Sequence, residues 1–240
     1  MAGDGAKGRW GRVARYSFGG FLLVLAAVDA RVGFPWYGTL GIVCAALLIL
    51  AGQRRIFRPG VTRTANGVIC RYVPWFEGNA YMAITIIPLM GVAMAAAGRN
   101  SDYPAWFRFG GILLMSLMPL ALLSVLRMWR RCPLCISPTA LTLRAATPGS
   151  KLTKIRREDI ESITPKMLPN PVNGHSLQTE IAYHTIDSGN TDTVVLGLHL
   201  TVQPRNLANA LLAWNDATDE DPTRLLDRIE QLLRGQSLAI

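Results

Sequence analysis

The stretch FGGILLMSLMPLALLSV at residues 109–125 decides the fold, because it runs for seventeen residues without a single charged side chain. A helix needs roughly 20 apolar residues, and about 17 at the least, to cross a hydrocarbon core of about 30 Å. Residues 36–52 and 81–97 are two further uncharged runs of this length, and residues 17–28 form a shorter one whose flanking charges lie at the two interfaces. The sequence therefore predicts four transmembrane helices arranged as two hairpins.

The distribution of charge predicts how these helices are oriented. Of the net charge of +9, residues 1–126 carry +8, from twelve Lys and Arg against four acids. Nine of these twelve basic residues lie in the N-terminal tail or between the second and third runs, and three further arginines, Arg127, Arg130 and Arg131, follow directly after the fourth run. Lys and Arg concentrate on the cytoplasmic side of membrane proteins. We therefore expect a multi-pass protein of the inner (plasma) membrane with both termini in the cytoplasm, and no binding of nucleic acid.

After residue 131 the pattern changes to short segments of strand type, followed by two helical segments. Residues 177–184 and 193–202 alternate apolar and polar side chains, as half-buried strands do, whereas residues 168–176 are rich in Pro, Asn and Gly and indicate a loop. Residues 222–233 carry an apolar face behind the helix start signal Asp221-Pro222. We interpret the acidic residues 216–221 as a solvated linker that leaves this last helix free to dock elsewhere.

Two strings in this region carry a family resemblance. ISPTALTL at residues 136–143, followed by IRREDIESI at residues 155–163, resembles bacterial pleckstrin-homology-like domains, in which a strand pair leads to a strand with an acidic pair before its isoleucines. In this chain Arg156 and Arg157 replace the aromatic residue that usually precedes the acidic pair. The resemblance covers about residues 130–215 and implies a small, half-open β-barrel capped by a helix, a fold that hosts lipid, peptide and protein binding.

An internal similarity links the two halves of the chain. VTRTANGVICR at residues 61–71 aligns without gaps onto LCISPTALTLR at residues 134–144, and each follows a helix pair and an Arg-Arg dipeptide. One hypothesis is that the chain consists of two units, each a helix pair plus a β-hairpin, with the first hairpin packed beside the soluble domain. The alternative is chance similarity between two hairpins.

The resulting fold class is an α+β integral membrane protein with four transmembrane helices and a cytoplasmic, pleckstrin-homology-like β-barrel or sheet followed by C-terminal helices. We divide it into a basic cytoplasmic tail (1–15), a first helical hairpin (16–52), a cytoplasmic β-hairpin loop (53–80), a second helical hairpin (81–129), the soluble domain (130–216), and an acidic linker with an amphipathic helix (217–240).

Two sets of residues are candidates for binding. Each Lys or Arg near an anionic leaflet adds about 1 kcal/mol of attraction, so a basic rim on the soluble domain is a candidate lipid-binding surface; ordinary solvated charge is the alternative. Small residues allow helices to approach closely in a membrane. The predicted lipid-binding rim is Arg127, Arg130, Arg131, Arg144, Lys151, Lys154, Arg156 and Arg157, and the predicted helix-packing residues are Gly91, Ala95, Gly110 and Gly111.

Prolines and charges in the apolar runs bear on transport. Pro88 and Pro119 fall near the middles of the third and fourth runs and should kink their helices. A lipid-facing cleft between the kinked helices is one interpretation, although proline is frequent in membrane helices. No ionisable residue lies at the middle of any run, and such a group is expected in an ion channel or a proton-coupled carrier.

The search for a catalytic site finds one weak candidate. Cys132 and Cys135 form a C-x-x-C pair, which can be a redox centre or half of a zinc site, with Cys70 as a possible third ligand. The pair lies between a membrane helix and a strand, not at the start of a helix, so we interpret the two residues as unpaired thiols. We expect no catalytic residues, no metal and no cofactor.

Together these features predict a non-enzymatic accessory or scaffold subunit that binds membrane lipids and a larger membrane complex. The Ala-, Arg- and Gly-rich composition resembles that of membrane proteins of high-GC actinobacteria, and this implies a complex for envelope lipid transport or assembly. The alternative is a carrier or membrane enzyme that holds a lipid-like substrate in the kinked helix bundle. A thiol-based sensor using Cys132 and Cys135 is a third class.

Overall fold

The computed structural model describes residues 4–51, 54–131, 133–144, 152–170, 174–184, 191–197, 199–217 and 220–236. The chain is a mixed α+β protein, and it divides into two compact units. The first unit contains Met1–Arg55 and Gly78–Ser124, and the second contains Ile56–Glu77 and Val125–Ile240. The loop between the second and third apolar runs therefore belongs to the same unit as the C-terminal half of the chain.

The apolar runs form helices. Three of the described helices are long and apolar enough to cross a membrane, over Val13–Val32, Gly78–Ala97 and Trp106–Arg131. The remaining apolar run forms a helix of 16 residues, about 24 Å long at 1.5 Å per residue, which is shorter than a hydrocarbon core of about 30 Å. The four helices are α1 (Asp4–Val32), α2 (Trp36–Ala51), α3 (Gly78–Ala97) and α4 (Trp106–Arg131).

Helix α3 changes its hydrogen-bonding pattern close to Pro88. The helix is α-helical over Gly78–Tyr81, π-helical over Met82–Ile86 and α-helical again over Ile87–Ala97. The N–H of Ile87 donates to the carbonyl oxygen of Met82, five residues back. Pro88 has no N–H with which to continue the ladder, so the widened turn lies directly before the residue that interrupts it.

A five-stranded antiparallel sheet organises the second unit. Its second and third strands pair with each other, with Ile69 opposite Cys135. The hairpin of residues 61–71 is therefore part of the sheet of the C-terminal domain, a closer association than the packing that the sequence suggested. The strands lie in chain order: β1 (Val61–Thr64), β2 (Gly67–Arg71), β3 (Pro133–Ile136), β4 (Ala140–Leu143) and β5 (Thr153–Arg156).

The two hairpins of this sheet have the same register. Val61 lies opposite Cys70 in the first hairpin, and Leu134 lies opposite Leu143 in the second. These are the positions that the gapless alignment of residues 61–71 with residues 134–144 makes equivalent. The internal similarity therefore corresponds to a repeated structure.

A second sheet has three antiparallel strands, β6 (Ile160–Asn170), β7 (Gly174–His184) and β8 (Thr191–Leu196). The predicted loop at residues 168–176 is wrong at both ends, because β6 continues to Asn170 and β7 begins at Gly174. Pro165 and Pro169 are tolerated in β6 because it is an edge strand, where a missing N–H costs no ladder hydrogen bond. The described strands form these two antiparallel sheets and no closed barrel, and the half-open barrel that the resemblance implied stays a prediction.

Strand β8 ends earlier than the sequence pattern predicted. Gly197 has a φ of +148°, a conformation that favours glycine, and the chain leaves the second sheet there. Further along, the carbonyl oxygen of Thr201 accepts from Gly60 N at 2.7 Å, and its hydroxyl accepts from Val73 N at 2.8 Å. Residues after Gly197 therefore connect the second sheet to the start of the first hairpin.

Two C-terminal helices close the core of the second unit. They are α5 (Pro204–Asp216) and α6 (Pro222–Arg234), and α6 begins with the predicted Asp221 cap, whose carboxylate accepts from Arg224 N at 3.2 Å. The expectation that the last helix is free to dock elsewhere is wrong, because its apolar face lies in the common core. Fully buried core residues include Val68, Ile136, Leu141, Ile155, Ile181, Leu211, Trp214 and Ile229.

Candidate membrane-surface site

One end of the second unit holds the points where its chain connects to the apolar helices. Ile56 and Glu77 pair through a β-bridge, and the ring of Trp129, near the end of α4, packs edge-on against Trp75 with centroids 5.0 Å apart. Phe57, Trp75 and Trp129 remain 64%, 50% and 39% exposed. We call this the helix-proximal end. Exposed aromatic rings at the ends of apolar helices are typical of the membrane–water interface.

Four exposed arginines lie at the helix-proximal end. Arg130 and Arg131 complete α4, two residues before Pro133 begins β3. Pro133 is flanked by Arg71, its partner in β2, and by Arg144, whose N–H donates to the Pro133 carbonyl at 3.2 Å. Two strand spacings put the Cα atoms of Arg71 and Arg144 about 10 Å apart. We call Arg71, Arg130, Arg131 and Arg144 the arginine cluster.

The charges of the arginine cluster are not neutralised by acidic side chains of the first sheet. Strands β1 to β5 contain no acidic residue. Within the described part of the chain, none of the four guanidinium groups makes an ion pair or a side-chain hydrogen bond. A set of exposed, unpaired guanidiniums attracts phosphate groups, which Arg binds with a planar fork of donors.

The structure separates the other predicted rim residues from this cluster. Lys154 is exposed in the middle of β5, and Arg156 lies two residues further from the helix-proximal end, paired with Glu158 at 3.2 Å. Arg157 is part of the packing of the domain, because it donates to the Asn215 carbonyl at 2.8 Å and lies 5.5 Å from the centroid of the Trp214 ring.

Two further residues of the predicted rim, Arg127 and Lys151, are not part of the arginine cluster. Arg127 lies in α4, with its Nε atom buried and without a hydrogen-bond partner among the described residues. Lys151 lies outside the described residues. The structure therefore brings Arg130, Arg131 and Arg144 together and places Arg156 and Arg157 at the opposite end of the sheet, four residues or about 13 Å along the strands.

Sequence reasoning missed Arg71 as a site residue. Its sequence position, in a loop between two apolar runs, suggested only a signal for orientation. The gapless alignment nevertheless matches Arg71 with Arg144, and β2 and β4 carry the two residues to opposite sides of the same strand. The internal repeat was thus the signal that could have identified it.

Two shallow grooves lie at the opposite end of the sheet, with volumes of about 730 and 890 Å³. They adjoin at Pro138, Thr139 and Pro222, which line both. The first groove contains Lys154, Arg156 and Arg157 but also Glu158 and Glu220. Charges of both signs therefore line it, in contrast to the arginine cluster.

Two cysteines, Cys70 and Cys135, lie on opposite faces of the first sheet. Cys70 is buried in the core, and burial together with the nearby Cys135 raises the pKa of the Cys70 thiol to about 12. Cys135 follows Leu134, the partner of Cys70, and so points to the other face; burial raises its pKa as well. Both thiols are therefore protonated near neutral pH. Cys132 lies outside the described residues.

The described residues contain no group of three or more His, Cys, Asp or Glu side chains placed to hold a metal ion. Because Cys132 lies outside the described residues, the interpretation of Cys132 and Cys135 as unpaired thiols stays a prediction.

The predicted helix-packing residues meet between α3 and α4 in the first unit. A Cβ atom on Gly111 would lie 2.5 Å from the carbonyl oxygen of Gly91 and against the backbone nitrogen of Ala95. A Cβ on Gly110 would instead meet only the terminal methyl of Met94, at 3.2 Å. The backbones of α3 and α4 approach closely at Gly91, Ala95 and Gly111, and Gly110 lies at the margin of this contact.

No protein family, curated protein or solved structure compared with the chain matches it. The resemblance to pleckstrin-homology-like domains therefore remains a prediction from the two sequence strings. The functional argument that follows depends on the residues of the chain itself.

Proposed function

We propose that the chain is a non-enzymatic accessory protein of the inner (plasma) membrane whose α+β domain binds anionic lipid headgroups at the cytoplasmic surface. The arginine cluster is the binding surface in this proposal. The apolar helices anchor the protein and provide the surface that packs against a larger membrane complex. Such a complex would be one for envelope lipid transport or assembly.

The observation that supports the proposal most directly is the position of the arginine cluster. Its four unpaired guanidiniums lie beside Trp75 and Trp129, at the end where the domain connects to helices that are long enough to cross a membrane. Each cation near an anionic leaflet is worth about 1 kcal/mol, so the four together favour anionic over neutral lipids substantially. The pleckstrin-homology-like resemblance agrees with a headgroup-binding domain.

The proposed orientation of the protein rests on the arginines next to the apolar helices. Positively charged segments next to apolar helices remain on the cytoplasmic side. Arg54, Arg55, Arg130 and Arg131 flank the connections to the second unit, which supports a cytoplasmic location for this unit and for both termini.

The test measures lipid selectivity of the full-length protein in mild detergent by native mass spectrometry, with phosphatidylglycerol and phosphatidylcholine in competition. We expect preferential retention of phosphatidylglycerol, and loss of that preference in the Arg71→Gln/Arg144→Gln variant. The matched control is Lys154→Gln/Arg156→Gln, which removes the same number of charges from the same sheet. Equal retention of the two lipids by the native protein, or equal losses in the two variants, would contradict the proposal.

A further inference from the structure

The paired strands β6 and β7 extend well beyond the third strand of their sheet. Strand β8 reaches only as far as Leu196, which lies opposite Thr179. Beyond this point Lys166 to Asn170 pair with Gly174 to Gln178 as a two-stranded ribbon. We call these two segments the β6–β7 ribbon. Five residues of extended chain correspond to about 17 Å, so the ribbon projects about this far beyond the end of β8.

The ribbon leaves the domain at its helix-proximal end. Gly197, directly after β8, lies against Gln178 at the base of the ribbon, where a Cβ on Gly197 would be 3.4 Å from the Gln178 Cα. Gly197 and Leu196 also line a small cavity together with Pro133 and Arg144. Strand β6 begins just after β5, at the end of the first sheet opposite the arginine cluster. It therefore runs towards the cluster, passes beside it at the base of the ribbon, and continues beyond it.

An apolar stripe follows one face of the ribbon. Ile163 and Ile181 lie opposite each other in the domain core, and alternation along the strands puts Met167 and Leu177 on the same face. At Met167 this face has left the core, and the side chain is 61% exposed. The apolar stripe of the core therefore continues into the ribbon, where the described part of the chain leaves Met167 uncovered.

The charge and the edges of the ribbon indicate what covers this face. Lys166 pairs with Glu180 at 2.7 Å, and the segments KMLPN and GHSLQ contain no acid, so the ribbon presents no unpaired carboxylate that an anionic surface would repel. Pro165 and Pro169 lie on the free edge of β6, where they oppose pairing with an additional strand from a protein partner. A lipid surface needs no backbone pairing, and an exposed methionine with flanking prolines presents apolar groups to it.

We propose that the β6–β7 ribbon is a second membrane contact, which inserts the exposed Met167, with the half-buried Leu177 opposite it, into the headgroup and upper acyl region of the bilayer. The inference rests on the proposed function in one respect, namely that the bilayer lies at the helix-proximal end. The ribbon contributes apolar contact, whereas the arginine cluster contributes charge. Together they would fix the orientation of the domain on the membrane at two separate points.

The experiment uses the full-length protein in nanodiscs, with Cys132→Ser and Cys135→Ser, so that the buried Cys44 and Cys70 are the native thiols that remain. Met167→Cys is labelled with an environment-sensitive fluorophore, and quenching is measured with lipids that carry a nitroxide at the headgroup or on the acyl chain. The matched control is Ser162→Cys, at an exposed position near the start of the same strand. The unlabelled parent protein measures background labelling.

We expect a blue-shifted emission and several-fold stronger quenching by lipid nitroxides at position 167 than at position 162. Equal quenching and equal emission at the two positions would overturn the inference. Quenching at position 167 only by a water-soluble agent would overturn it as well and would point to a protein partner or to solvent.

The same samples separate this inference from the proposed function. If position 167 is quenched by lipid nitroxides but the protein retains phosphatidylglycerol and phosphatidylcholine equally, the ribbon contacts lipid while the preference for anionic lipid fails. If phosphatidylglycerol retention depends on Arg71 and Arg144 but position 167 is as exposed to water as position 162, the ribbon inference alone is wrong.

Discussion

Thr64 and Ser137 make the same hydrogen bond in two different hairpins. The hydroxyl of Thr64 donates to the Gly67 carbonyl, and the hydroxyl of Ser137 donates to the Ala140 carbonyl, each at 2.7 Å. The two residues are equivalent in the gapless alignment of residues 61–71 with residues 134–144. The repeat therefore extends from strand register to the side chain that closes each turn, and the two hairpins build one sheet although an apolar helical hairpin separates them in sequence.

This equivalence predicts related but unequal mutational effects. Ser137 Oγ also accepts from the Ala140 N–H at 3.0 Å, so Ser137→Ala removes two hydrogen bonds and Thr64→Ala removes one. We expect costs of about 2 and about 1 kcal/mol in the free energy of opening the sheet. The measurement is the labelling rate of Cys70 by a thiol reagent in the full-length protein, because a buried thiol reacts only when its surroundings open. Thr62→Ala, at an exposed position of β1, is the control. A larger effect of Thr64→Ala than of Ser137→Ala would contradict this account.

The burial of Cys70 predicts how sheet stability depends on pH. Because the folded-state pKa is raised to about 12 from an ordinary value of 9.0, the unfolded thiol loses its proton at a lower pH than the folded one. The contribution of Cys70 to the free energy of unfolding is therefore complete below about pH 9 and declines as the pH rises towards 12. Cys70→Ala should reduce this alkaline decline while leaving the slope at neutral pH unchanged.

The measurement for Cys70 is a urea titration of the full-length protein, in which circular dichroism monitors unfolding of the second unit at several pH values between about 8 and about 11. The raised pKa values of Cys135 and Tyr183 act in the same direction, so the native protein and Cys70→Ala must be compared at each pH. A Cys70 thiol that reacts with reagent as fast as Cys135 in the intact protein would show that the first hairpin is not held in the sheet.

The contact between α3 and α4 predicts that alanine substitutions at the neighbouring Gly110 and Gly111 have very different effects on stability. Gly111→Ala puts a methyl group against the backbone of Gly91 and Ala95 and should cost about 1–3 kcal/mol, as overpacking does. Gly110→Ala meets only the flexible end of Met94, and Gly20→Ala has no atom within 4 Å of its new Cβ. We expect both to be neutral or slightly stabilising, since alanine favours a helix. Thermal melting in detergent measures the three, and equal melting temperatures would exclude a close contact at Gly111.

The sequence and the structure agree where the pattern is local. Uncharged runs predicted the apolar helices, and Asp221-Pro222 predicted the start of α6. Where the structure differs from the expectation based on sequence, tertiary contacts account for the difference. The free edge of β6 accommodates Pro165 and Pro169, so a segment with the composition of a loop forms a strand. Arg157 and Trp214 are distant in sequence, and their contact within the core removes Arg157 from the lipid-facing set that sequence proximity suggested.

The candidate site was partly visible in the sequence for the same reason. Arg130, Arg131 and Arg144 lie close to the end of α4 along the chain, so their association follows from proximity. Arg71 joins them only because β2 pairs with β3, and strand pairing across an intervening helical hairpin is a long-range choice that local pattern does not determine. The alignment of the two hairpins indicates that Arg71 is equivalent to Arg144, but it does not predict that β2 pairs with β3.

The accessory role makes a prediction of its own, because it requires a partner for the helices. Leu113, Leu120 and Leu123 are each more than 60% exposed on α4, and either lipid or another membrane protein covers them in a bilayer. We expect tagged full-length protein, extracted in mild detergent, to co-purify in fixed stoichiometry with an envelope lipid transport or assembly complex. Leu113→Trp/Leu120→Trp should release that complex, whereas Arg71→Gln/Arg144→Gln should retain it, since the latter pair acts on headgroups. Isolation of the protein alone would contradict the accessory role, and isolation with a discrete lipid held by the helices would favour the carrier or enzyme alternative.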